Sequence, residues 1–108
     1  MDYIYKAFVT DVYDGDSITV DVDLGFHTQI KNMKLRLLGI DTPEIRGEER
    51  EMGLISKKAV EEKILNKWII IKTEKDRTGK YGRYLATVFI DDLNLNEWLL
   101  EEGLAKVY

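Results

Sequence analysis

Asp14-Gly15-Asp16-Ser17-Ile18-Thr19-Val20-Asp21-Val22-Asp23-Leu24 sets a two-residue period near the start of the chain. Ile18, Val20, Val22 and Leu24 alternate with Thr19, Asp21 and Asp23, the pattern of a strand with one face buried. Ahead of it, Tyr13-Asp14-Gly15-Asp16 reads as a hairpin turn, since Asp-Gly tolerates positive φ. The segment from Ala7 to Leu24 therefore predicts strand, tight turn, strand. A break at Gly25 leads to a further strand over Thr28 to Leu38, where Met33-Lys34-Leu35-Arg36-Leu37 alternates again. That strand halts at Asp41-Thr42-Pro43, because proline cannot donate to a ladder.

Downstream, residues 45–50 are polar and read as a loop. From Glu51 to Asn66, Met52, Ile55, Ala59, Val60 and Ile64 recur at helical spacing. The isoleucine-rich run Trp68 to Thr73 predicts a strand, Lys75 to Gly82 a charged loop, and Tyr84 to Ile90 another strand ended by Asp91-Asp92. Asn94 is placed to cap a last helix from Leu95 to Glu102, with Gly103 as its stop. Trp68 and Trp98 fall in apolar patterns and are expected in the core. The order β-β-β-α-β-β-α predicts an α+β, mainly β chain: a five-stranded OB-fold barrel with two helices, forming one domain over residues 1–108.

The 108 residues include no cysteine, which excludes disulfides and thiolate metal sites. A formal charge of −4 argues against broad coating of nucleic acid, so any phosphate chemistry must come from a local cluster of cations. No run reaches the apolar length of a membrane span. Met1-Asp2-Tyr3-Ile4-Tyr5 lacks the basic and apolar regions of a secretion signal. This fits a chain that stays in the cytoplasm, or a secreted one whose leader has been removed.

Three segments place polar residues where a strand gives way to a turn. They are Asp14-Gly15-Asp16-Ser17, Arg36 to Glu44, and Lys80-Tyr81-Gly82-Arg83. Asp16 and Asp41 end separate strands, and together they offer oxygen ligands to a hard cation such as Ca²⁺. The plainer reading is a turn residue and the start of a Thr-Pro bend. Strand alternation sets Arg36 on the face opposite Leu35 and Leu37, where its planar fork suits a phosphate, or a neighbouring carboxylate. Arg83, Lys80 and Tyr81 combine charge with a ring able to stack on a nucleotide, or form an ordinary hairpin tip. Glu44, set by Pro43, is a candidate for taking a proton from water. His27, the only histidine, has no partner at ligand spacing and reads as structural. Neither a P-loop, an EF-hand loop nor a G-x-S-x-G elbow is present.

Val12 to Ser17, Leu35-Arg36-Leu37-Leu38-Gly39-Ile40-Asp41-Thr42-Pro43-Glu44 and Lys80-Tyr81-Gly82-Arg83-Tyr84-Leu85-Ala86 resemble the staphylococcal nuclease (thermonuclease) family. The tail from Asn96 to Val107 resembles that family's helix and exit segment, so the likeness runs in order over nearly the whole chain. The resemblance implies Asp16, Asp41 and the Thr42 carbonyl as calcium ligands, with Asp14 beside them. It implies Arg36 and Arg83 on the phosphate, Glu44 as the carboxylate that activates water, and Lys80 and Tyr81 on a terminal phosphate. A calcium-dependent nuclease follows, cutting DNA or RNA with little sequence preference and leaving 3′-phosphates. The alternative is an inactive nuclease-like module that binds nucleic acid or a protein partner. Two departures stand out. The loop after Glu44 is short and carries Glu48, Glu49 and Glu51, and only Tyr108 stands where the family's base pocket has tyrosines.

Overall fold

A computed structural model describes residues 3–75 and 84–108. In chain order the elements are β1 (Tyr3–Asp14), β2 (Ser17–Gly25), β3 (Thr28–Leu37), β4 (Ile40–Asp41) and α1 (Arg50–Ile64). Then follow β5 (Trp68–Lys75), β6 (Tyr84–Ile90), β7 (Leu93–Asn94), α2 (Leu95–Glu101) and β8 (Lys106–Val107). Antiparallel neighbours run β3-β2-β1-β5-β6, with β7 continuing at the β6 edge. A parallel pairing of β3 with β6, Leu35 opposite Tyr84 and Leu37 opposite Ala86, closes the sheet on itself. The result is the five-stranded OB barrel with two helices that the residue pattern predicts.

Alternation puts Val9, Ile18, Val20, Leu35, Leu37, Ile71 and Val88 inside, all essentially buried. Each buried aliphatic side chain contributes roughly 1.5–3 kcal/mol by leaving water. Val60 and Ile64 of α1 and Leu95 and Leu99 of α2 join the same core. Asn94 caps α2 as expected, its side chain accepting from the Glu97 N–H, and Gly103 ends it with φ +70°.

Four local expectations are corrected. First, Gly15 does not adopt positive φ; a Cβ there would press on the Thr42 side chain at 2.7 Å, so close approach rather than turn type demands glycine. Second, α1 stops at Ile64, because Leu65 turns extended and Asn66 takes φ +59° to send its N–H to the Val9 carbonyl. Third, the buried face of α1 is Gly53, Ser56, Val60 and Ile64, while Met52 and Ile55 each stay 53% exposed. Small residues win there because the helix lies directly on the chain at Glu44 and on the tail, where Ser56 Oγ donates to the Leu104 carbonyl. Fourth, Trp68 is 46% exposed on the outer face of β5, and Trp98 is only partly buried against the core. The residues read as a loop after Glu44 include a single 3₁₀ turn, Gly47–Glu49.

Candidate active site

The β1–β2 turn and the β3–β4 connection bring the acidic residues together. Ser17 pairs with Arg36 across β2 and β3, and the Leu37 N–H donates to the Asp16 carbonyl at 2.8 Å. Arg36 points out of the barrel, as alternation requires. Its Nη2 lies 3.5 Å from Asp16 Oδ2, 3.4 Å from Asp41 Oδ1 and 3.4 Å from the Ile40 carbonyl. One guanidinium nitrogen thus bridges two carboxylates from different strands. The Tyr108 ring sits over the same guanidinium at 4.3 Å, held there by Tyr108 N–H donating to the Gly39 carbonyl.

Asp16 is 6% exposed and also accepts from the Thr42 N–H at 3.2 Å. Burial opposes its ionisation. Hydrogen bonds from Asp14 and Thr42, with the charge of Arg36, outweigh that, and its pKa falls below the ordinary carboxylate value. Asp14 goes the other way. Burial, then the hydrogen bond and charge of neighbouring Asp16, push it up to about 7. Asp14 is the member of the pair that is raised and Asp16 the one that is lowered, since Asp16 faces Arg36.

A consequence follows for metal-free protein. A carboxyl raised in the folded state favours folding at low pH, and that contribution is lost as pH climbs from about 4 towards 7. Asp16, lowered on folding, acts in the opposite sense and weakens the fold as pH falls. Asp14→Asn, which keeps a hydrogen-bond donor and removes the charge, is therefore expected to raise Tm at pH 8 and to raise it by less at pH 5. Thermal unfolding in chelator at both pH values checks this; equal shifts at both would contradict it.

The donor set suits a hard divalent cation. Asp16 and Asp41 supply carboxylate oxygens, and Thr42 Oγ1 is a buried oxygen with no hydrogen-bond partner. Among the described residues no three acidic or imidazole side chains converge, so backbone carbonyl and water oxygens would complete the shell.

Glu44 is exposed beside this cluster, its N–H donating to Glu49 Oε2 at 3.2 Å. Glu49 therefore organises the loop instead of merely adding charge. The loop is tied back to β1 by Arg46, which donates to the Tyr13 hydroxyl at 3.2 Å. Gly53 is the support that sequence reasoning missed: a Cβ there would collide with the Glu44 carbonyl. A glycine inside a helical pattern was the available signal. Gly53→Ala is expected to displace Glu44 and cost at least tenfold in turnover, with a stability loss of about 1–3 kcal/mol from overpacking. Unchanged kinetics with unchanged Tm would show that the contact relaxes freely.

Lys80, Tyr81 and Arg83 lie outside the described residues. His27 is exposed at the β2–β3 turn with φ +58°. An open cavity of about 680 Å³ lies elsewhere, lined by residues including Tyr3, Tyr5, Met33 and Tyr84, and contains none of the acidic cluster.

Fold and site together define a class: an OB barrel whose first hairpin turn and third strand exit hold an arginine between two aspartates. The chain belongs to the family described as staphylococcal nuclease homologues, whose model matches residues 34–108. It is 35% identical to an uncharacterised protein of Methanocaldococcus jannaschii, over 96% of this chain and 59% of that one. It is 34% identical to the thermonuclease of Staphylococcus hyicus, over 88% of this chain and 54% of the relative. Against the SPbeta prophage-derived endonuclease of Bacillus subtilis the identity is 36%, over 87% and 31%. The chain thus spans under two thirds of the length of these curated relatives. No helix among the described residues is long and apolar enough to cross a membrane.

Proposed function

We propose that the chain is a divalent-cation-dependent nuclease, with calcium as the cation, that hydrolyses phosphodiester bonds of DNA or RNA. The observation that carries this reading is Arg36 held half-buried between Asp16 and Asp41. Barrel closure by strand pairing does not call for two aspartates converging on one arginine, whereas phosphate chemistry needs a fixed cation beside oxygen ligands. Relatives named thermonuclease and endonuclease support the same reading.

Asp16, Asp41 and the Thr42 carbonyl would hold the cation, which when bound supplies Lewis-acid polarisation of the phosphoryl group. Asp14 accepts from the Asp16 N–H at 3.2 Å and so fixes the turn that presents Asp16. Arg36 reaches Asp16, Asp41 and the Ile40 carbonyl through Nη2, and its other N–H groups serve the phosphate oxygens as charge develops. Glu44 takes a proton from the attacking water, whose oxygen bonds to phosphorus as the bond to the 5′ oxygen breaks. The leaving 5′ oxygen takes up a proton from solvent, so that a 3′-phosphate and a 5′-hydroxyl result. On the match of Lys80-Tyr81-Gly82-Arg83 to the family motif, Arg83 is assigned to the phosphate and Lys80 and Tyr81 to a terminal phosphate. The assay is single-stranded DNA and RNA with calcium or with chelator, beside Asp41→Ala. Calcium-dependent cutting at least a hundredfold weaker in the variant is expected. Intact substrate with every common divalent ion, from folded protein, would leave a nucleic-acid or protein binding module instead.

A further inference from the structure

Asp16 and Glu44 ride on two short segments that are tied to each other at both ends. One is residues 13–16, the end of β1 and its turn; the other is residues 42–46, which leave β4. At the inner end Asp16 Oδ2 accepts from the Thr42 N–H at 3.2 Å, and the Thr42 side chain lies against Gly15. Asp16 and Thr42 are both buried, so water does not compete for this tie. At the outer end Arg46 Nη2 donates to the Tyr13 hydroxyl at 3.2 Å, across 33 positions of sequence. Among the described residues this is the one side-chain hydrogen bond that carries residues 45–48 to the barrel. The bond from the Glu44 N–H to Glu49 closes the loop on itself and gives it no hold on the strands. Tyr13 is 51% exposed and belongs to neither the core nor its packed fringe, so its ring is not there to fill space.

We infer that Tyr13 and Arg46 are a positioning pair for Glu44: their hydrogen bond fixes the distance between the carboxylate that takes the water proton and the one that holds the cation. The inference rests on the nuclease reading, which supplies those two roles. A misplacement of about 1 Å between reacting groups costs about 10²-fold in rate. With the outer tie gone, the Glu44 end of its segment is free to move away from the Asp14–Asp16 turn, while the inner tie still holds Thr42. Water competes for both partners of the exposed bond, so its net worth is a factor of about five to ten in the closed arrangement. That factor bounds the effect on rate. The pair touches neither cation nor phosphate and moves no proton. A direct phosphate contact by Arg46 is the competing role. Tyr13→Phe separates the two, because it deletes the acceptor and keeps the guanidinium.

The test is steady-state cleavage of single-stranded DNA with calcium. Tyr13→Phe and Arg46→Ala should each lower kcat about fivefold, and the double variant should be no slower than either. KM should change by less than about twofold. In a Glu44→Gln background, where no base remains to be placed, Tyr13→Phe should leave the residual kcat as it is. A further readout needs no cutting. In metal-free protein, amide hydrogen exchange at Glu44 should quicken about fivefold in Tyr13→Phe at unchanged Tm. Unaltered exchange overturns the pair. So does a fivefold loss that persists in the Glu44→Gln background, which would make the bond a general brace of the fold. A salt-dependent rise in KM with Arg46→Ala, absent from Tyr13→Phe, also overturns it and assigns Arg46 to the phosphate. Wild-type protein that cuts neither DNA nor RNA overturns the nuclease reading and this role with it; cutting that Tyr13→Phe leaves unchanged overturns the pair alone.

Discussion

Replacement of Arg36 by alanine is expected to lower phosphodiester cleavage by about 10²- to 10³-fold, with the loss mainly in kcat. The magnitude follows from its position. Arg36 is pinned by Asp16, Asp41 and the Ile40 carbonyl, and its flat side is covered by Tyr108, so its charge is oriented before substrate arrives. A preorganised cation stabilises charge that develops in the transition state without reorganisation. Arg36→Lys should resemble alanine more than wild type, because an ammonium cannot present a planar fork to carboxylates and phosphate together. Removing the guanidinium also leaves two neighbouring carboxylates uncompensated, which should cost the metal-free protein about 1–3 kcal/mol. Saturating calcium should recover part of that stability and none of the rate. A fall in kcat of less than tenfold, measured on single-stranded DNA at saturation, would remove Arg36 from the catalytic machinery.

Asn96→Ala should produce the largest loss of stability, on the order of 3–5 kcal/mol out of the roughly 5–15 kcal/mol available to a domain. Asn96 is 5% exposed, and its Oδ1 accepts from the Val88 N–H at 3.0 Å. Its Nδ2 donates to the Leu38 carbonyl at 2.9 Å and the Ala86 carbonyl at 3.1 Å. Alanine would strand the Val88 N–H and the Leu38 carbonyl, while the Ala86 carbonyl keeps the Leu38 N–H at 2.8 Å, and each orphan retains its desolvation cost. The same side chain joins α2 to the β3 exit that carries Asp41, so stability and site geometry should fail together. Urea unfolding should show a lower midpoint with an unchanged m-value. A loss under 1 kcal/mol would mean that water replaces the amide.

How far the chain can be read without its structure depends on the range of the interaction. The hairpin at Asp14 to Ser17, the β3 alternation around Arg36 and the Asn94 cap of α2 rest on neighbours a few residues apart, and the structure matches them. The faces of α1 and β5 were misread because periodicity finds an amphipathic element without saying what it meets. At α1 the neighbour is the Glu44 backbone, so Gly53 and Ser56 are buried and Met52 and Ile55 are not. At β5 the apolar run holds isoleucines on both faces, and nothing local distinguishes Ile69 inside from Trp68 and Ile70 outside. The role of Asn96 was not legible locally, since its three partners lie in β6 and at Leu38.

The amino-acid sequence by itself determined the order of strands and helices, the OB barrel they build, and which residues carry the candidate chemistry. The elements follow from hydrophobic period and turn chemistry, which act along the chain, and the candidate residues from the resemblance of their motifs to the nuclease family. Only the tertiary structure decided that one nitrogen of Arg36 serves both Asp16 and Asp41, that Asp16 is buried against the Thr42 N–H, and that Trp68 faces water. Each depends on barrel closure through β3 and β6 and on strand register, and so on contacts between residues far apart in the chain. Such contacts form only when the core has been buried.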